Sequence, residues 1–95
     1  MGKIESYLGF AVRSGKILYG IDSIKQSRKR KYLLVLSPSA SENLCEKADR
    51  YSTEFGVPLI RTTENLEDLL NKPNCKLAAL LDANMAKAVT ESVGR

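Results

Sequence analysis

The chain has 95 residues, of which 43% are hydrophobic and 27% charged, a length and composition that fit one globular domain and exclude disorder. With two cysteines and no histidine, neither a disulfide-stapled scaffold nor a zinc centre is expected. The net charge of +4 is unevenly placed: residues 1–31 carry eight basic and two acidic residues, net +6, and the remainder carries the balance of −2. Such asymmetry points to a surface that faces a polyanion, although a merely solvated charged face has the same composition.

In chain order, Ile4, Leu8 and Ala11 recur at helical spacing, which predicts a first helix over 3–13 stopped by Ser14-Gly15. Lys16 to Tyr19 is a short strand ended by Gly20. A second helix is expected from about Ile21 into the basic run Arg28-Lys29-Arg30-Lys31, with Ile21 and Ile24 as a thin apolar stripe. Tyr32 to Leu36 is a continuous apolar run, as in a strand buried on both faces. After the loop at Ser37-Pro38-Ser39, Ser39 and Glu42 fit a capping box, and Leu44, Ala48, Tyr51 and Phe55 mark a third helix closed by Gly56. Val57 to Ile60 is a strand. Thr62 or Thr63 is expected to cap a fourth helix holding Leu66, Leu69 and Leu70, and Asn71 to Asn74 form a turn. Lys76 to Leu81 is a second buried strand, and Asp82 caps a last helix with Met85, Val89 and Val93 on one face. Alternating helices and strands without repeat or linker predict an α/β fold: a single domain over 1–95, built as a three-layer α/β/α sandwich with a mixed sheet of about four strands.

Little in the chain suggests catalysis. Histidine, the commonest base, is absent, and most carboxylates fall on helix faces. Asp82 follows a strand, where open sheets place ligand-binding residues, but it also makes a plain helix cap. The pattern of a phosphate loop is missing around Ser14-Gly15-Lys16. No enzyme activity, metal or cofactor is expected. Met1 to Phe10 lacks the apolar stretch of a signal peptide and no apolar run nears the ~20 residues of a membrane span, so a cytoplasmic location away from membranes is expected. Monomer is the default.

Two features suggest nucleic acid. Arg28, Lys29, Arg30 and Lys31 complement a helix dipole, yet four successive cations exceed that need and favour phosphate contact without base reading. At Tyr19-Gly20-Ile21-Asp22 the glycine precedes a helix start, where free amides attract phosphate, and Lys16, Asp22, Ser23, Lys25 and Gln26 are expected to cluster there. A glycine needed only for a tight turn accounts for the same spacing.

Several stretches together resemble a known family. Arg13-Ser14-Gly15-Lys16 followed by Gly20, then Leu33 to Leu36 with Ala40-Ser41-Glu42-Asn43 and Lys47, then Tyr51 through Gly56 to Ile60, and Leu77 to Asp82 with Met85-Ala86, stand in order over nearly the whole chain. They are similar to the ribosomal-protein family typified by archaeal large-subunit protein L-seven-Ae, especially its small stand-alone bacterial members. The resemblance implies an α/β/α sandwich that binds kink-turn RNA. It implies a second helix opening Gly-x-Asn-Glu-x-x-Lys, whose Asn and Glu read guanines in tandem sheared G·A pairs. Counted from Gly20, this chain has Asp22, Ser23 and Gln26 at those three places. On this reading Lys16, Gly20, Asp22, Ser23, Lys25 and Gln26 form the centre of an RNA site. Lys72, Asn74 and Lys76 line one rim, and Arg28, Lys29, Arg30 and Lys31 add backbone attraction. The expected partner is structured RNA, ribosomal or kink-turn; the alternative is a protein-interaction module on the same fold.

Overall fold

The computed structural model describes residues 2–93, with side-chain surroundings from 6 to 92; the expected core positions Ile4 and Val93 lie outside the latter. The elements are α1 (Gly2–Ser14), β1 (Ile17–Tyr19), α2 (Gly20–Gln26), β2 (Leu33–Leu36), α3 (Glu42–Phe55), β3 (Leu59–Arg61), α4 (Leu66–Leu70), β4 (Leu77–Leu80) and α5 (Ala83–Val93). The strands form one mixed sheet in the order β1-β4-β2-β3. β4 runs antiparallel to both neighbours, and β2 runs parallel to β3.

The apolar runs explain this layering. Every residue of β2 and β4 is buried, because these two strands lie inside the sheet and helices cover both faces. Alternate side chains part to opposite sides. Leu33, Val35, Ala78 and Leu80 join Leu8, Ala11, Leu66, Leu69, Ala86 and Val89 in a core under α1, α4 and α5. Leu34, Leu36, Leu77 and Ala79 join Ile24 and Ala48 in a core under α2 and α3. The fold is therefore the expected α/β/α sandwich.

Local signals hold at two helix ends. Gly56 takes the left-handed conformation (φ 68°) that closes α3. The Asp82 carboxylate accepts from the backbone N–H groups of Asn84 (2.9 Å) and Met85 (3.0 Å), so it caps α5. Elsewhere the structure corrects the expectation. Ser41, not Ser39, caps α3, its hydroxyl accepting from the Leu44 N–H at 3.1 Å. Ser39 instead bonds the Ser37 hydroxyl at 3.0 Å within the preceding turn. Neither Thr62 nor Thr63 caps α4; Thr62 is buried and donates to the Glu64 carbonyl, shaping the turn. The N-cap is Asn65, without a side-chain bond, and the first amide of α4, at Leu66, donates to the buried Ser37 hydroxyl 29 residues away.

The largest correction concerns α2. It ends at Gln26, and Ser27 turns extended (ψ 138°), so Arg28 to Lys31 form a loop rather than a helical turn. The reason is packing: after Ile24 the sequence offers no apolar side chain until Tyr32 to hold a further turn on the sheet. The two cysteines are free thiols; Cys75 is buried, and burial pushes its pKa up, which keeps it protonated. No described helix is long and apolar enough to cross a membrane.

Candidate nucleic-acid interface

Strand direction decides which predicted residues meet. β1, β2 and β3 run the same way, and β4 runs against them. One end of the sheet therefore gathers the end of β1, the start of α2 and the loop leading into β4. The opposite end gathers Lys16, the Ser27–Tyr32 loop, the Gly56-Val57-Pro58 turn and Leu81.

At the first end, Gly20 opens α2 with φ 80°, a value that favours glycine over any residue with a Cβ. Asp22 and Ser23 follow, both exposed. The 71–76 loop folds beside them: Asn71 and Asn74 adopt left-handed backbone, and the Lys72 ammonium lies 4.6 Å from the centre of the Tyr19 ring. Glu67 pins this loop. Its carboxylate accepts from the Lys76 ammonium at 2.8 Å and from the Asn74 backbone N–H at 3.0 Å. Lys76 also donates to the Ser39 hydroxyl at 3.2 Å. Lys72 and Asn74 remain exposed on the rim, whereas Lys76 is half-buried and paired.

The hydrogen bond from Lys76, then that from Asn74, and the positive charge of Lys76 hold Glu67 below its ordinary value of 4.5. A carboxylate with a lowered folded-state pKa stabilises the native protein at neutral pH, and this is lost as pH falls through that pKa. Glu67→Gln is therefore expected to lower the melting temperature at pH 7. The gap from the parent protein should close in acid, below pH 4.5. A gap that stays constant across that range would show that the carboxylate charge plays no part in holding the loop.

At the second end, Lys16 borders a hollow with Gly15, Lys29, Arg30, Tyr32 and Leu81. The Lys16 carbonyl accepts from the Leu81 N–H at 2.9 Å, which fixes the base of this hollow. Arg30 places its guanidinium 5.3 Å from the centre of the Tyr32 ring. Lys31 departs from expectation. It is only 8% exposed, its ammonium donates to the Ser27 carbonyl at 2.8 Å, and it lies 4.5 Å from the Phe55 ring centre. It ties the loop down instead of facing solvent.

The expected cluster of Lys16 with Asp22, Ser23, Lys25 and Gln26 does not form. Lys16 and Gly20 lie at opposite ends of β1, about 13 Å apart at ~3.3 Å per residue. Gly20, Asp22, Ser23, Lys72, Asn74 and Lys76 share the first end; Lys16, Lys29, Arg30 and Lys31 share the second, with exposed Arg28 on the same loop. Lys25 and Gln26 occupy the exposed last turn of α2, which runs from the first end back toward the second.

Comparison with known proteins extends only to the architecture. No protein-family model matches the chain, and no curated protein matches it. Among solved structures it is similar to one described as the structure of a protein with unknown function from Bacillus halodurans C. The TM-score is 0.84 at 18% identity, covering 100% of each chain. What the two share is the fold.

Two aromatic residues belong to these surfaces and were not singled out by sequence reading. Tyr19 carries Lys72 at the first end, and burial, then the neighbouring Cys75, push its phenol pKa up. Tyr32 carries Arg30 at the second. For Tyr32 a signal exists in the sequence: an aromatic residue directly after four cations is the composition of a surface that stacks bases and neutralises phosphates.

Proposed function

We propose that this chain is a ribosome-associated RNA-binding protein of the cytoplasm that recognises structured RNA, with a kink-turn-like internal loop as its target. The reading includes no catalysis and no cofactor, and a protein that acts as a monomer. The observation that carries it is the uncompensated positive charge of the first third of the chain. Lys16, Lys25, Arg28, Lys29 and Arg30 are all exposed. The ion pair found among the described residues joins Lys76 to Glu67 and involves none of the five. Cations left free in this way attract phosphates by releasing their counterions. The resemblance to the L-seven-Ae family that runs over nearly the whole chain supports kink-turn RNA in particular, while Asp22, Ser23 and Gln26 stand where the family's second-helix motif has Asn, Glu and Lys. RNA interrupted by internal loops exposes base edges that a regular duplex hides.

The test is titration of a labelled kink-turn RNA at two salt concentrations, beside the same RNA with its G·A pairs replaced by Watson–Crick pairs. The intact kink-turn is expected to bind at least ten-fold tighter, ~1.4 kcal/mol, at both salts. Equal binding of the two RNAs would remove the kink-turn assignment. A second reading, a protein-interaction module on the same fold, is favoured by the exposed Asp22 carboxylate, which repels phosphate at the start of α2. Absence of binding to either RNA would support it.

A further inference from the structure

We infer that the end of the sheet opposite the start of α2 is a second, separate RNA surface, which takes an unpaired strand. Its bases stack at Tyr32 and its phosphates lie on Lys16, Lys29 and Arg30. The inference rests on the RNA-binding reading but not on kink-turn specificity.

Tyr32 stands at the junction of three hollows. The first lies between Lys29, Arg30 and the Phe55–Pro58 segment and holds about 320 Å³. The second is the one bordered by Lys16 and Leu81. The third reaches along α5, past Lys87 and Glu91. The partly buried Tyr32 ring thus forms a ridge among them, rooted in the core beneath α1 and α5. Its main chain is anchored, because its backbone N–H donates to the Leu80 carbonyl at 2.9 Å and its neighbour Leu33 is fully buried in the sheet.

The surroundings of the ridge alternate aromatic and cationic groups. Arg30 lies at the Tyr32 ring, and Lys31 at the Phe55 ring, which in turn stacks on Tyr51 at 5.6 Å. With the Lys31 ammonium engaged inside the loop, Lys29 and Arg30 are the cations that this loop turns outward beside the ridge, and Lys16 joins them from just before β1. A planar guanidinium beside a tyrosine offers a flat platform to a nucleobase, and flanking lysines offer charge to the strand that carries it. A duplex keeps its base faces stacked on one another and leaves such a platform unused. The Asp82 carboxylate, nearest in sequence to this end on the β4 side, is turned onto the α5 amides. The two surfaces lie at opposite ends of the strands, with Lys16 and Gly20 about 13 Å apart along β1, so one molecule can hold two segments of a folded RNA at once.

The probe is a labelled ten-nucleotide uridine RNA, titrated against the full chain at several salt concentrations. Lys29→Ala combined with Arg30→Ala is expected to weaken binding about ten-fold or more and to lower the salt slope by about 1.4, at ~0.7 per lost phosphate contact. Lys47→Ala combined with Arg50→Ala removes the same charge from exposed positions on α3 and is expected to change affinity less than two-fold. Tyr32→Phe should retain binding, and Tyr32→Leu should lose about ten-fold, by the typical worth of one base stacked on an aromatic ring. Melting curves confirm that each variant is folded. The inference is overturned if the α3 pair loses as much as the loop pair, if Tyr32→Leu binds like the parent, or if a blunt RNA duplex binds as tightly as the uridine strand. The kink-turn assignment fails by a different result, equal affinity for intact and G·A-replaced RNA, so the two failures are distinguishable.

Discussion

Asp22→Asn combined with Ser23→Glu is expected to tighten binding of kink-turn RNA by about ten-fold or more. The exchange restores at both places the residue types that the L-seven-Ae resemblance calls for. An asparagine amide can donate where the aspartate carboxylate cannot, and a glutamate can accept from a guanine edge that serine reaches poorly. One well-formed base contact is worth ~1–3 kcal/mol of discrimination, so even one of the two suffices for the expected gain. Both positions are exposed in the first turn of α2, which leaves Ile24 and the core beneath it untouched. The double substitution also keeps net charge constant, because one negative charge is removed and one added. The salt dependence should therefore stay where it was while the affinity rises. The RNA whose G·A pairs are replaced by Watson–Crick pairs should not respond. An equal gain for both RNAs, or none for either, would show that Gly20 does not set the register of a base-reading helix in this chain.

Leu34→Ala is expected to cost about 2–5 kcal/mol, and Val35→Ala about 2 kcal/mol. Both residues are fully buried, and they point to opposite faces of β2: Leu34 into the core under α2 and α3, Val35 into the core under α1, α4 and α5. Against a total stability of roughly 5–15 kcal/mol these are large fractions. At roughly 4–8 °C per kcal/mol for a domain of this size, Val35→Ala should lower the melting temperature by about 10 °C and Leu34→Ala by more. In urea the midpoint should fall with little change in slope. The pair is informative because the residues are adjacent. A sheet covered on one face would tolerate one of the two substitutions, so a silent Leu34→Ala or a silent Val35→Ala would contradict the three-layer arrangement.

The site was less legible in the sequence than the fold. The cations of residues 28–31 were readable as a cluster, but their places were not. Lys31 turns inward because Ser27 ends α2 with its carbonyl within reach of the ammonium and Phe55 arrives from α3 to cover it. Lys76 meets Glu67 nine residues away, which converts an expected rim residue into one side of an internal pair. Sequence spacing brought Lys16 and Gly20 together on paper. A strand intervenes, and strands carry the chain ~3.3 Å per residue, so four residues set the two groups at opposite ends of the sheet.

The sequence by itself determined the layers. Runs such as Leu33 to Leu36 and Leu77 to Leu80 are apolar on both alternating faces, and only a strand with helices on both sides buries both. It also determined the helix ends that use their own neighbours, at Gly56 and Asp82, because such caps span a few residues. The tertiary structure alone decided what depends on partners distant in the chain. It supplied the Ser37 hydroxyl to the Leu66 amide, placed β4 between β1 and β2, and thereby chose which loops share an end. Hydrophobic periodicity is a local property of the chain. The meeting of charges at a surface is set by strand order and direction, which no local window contains.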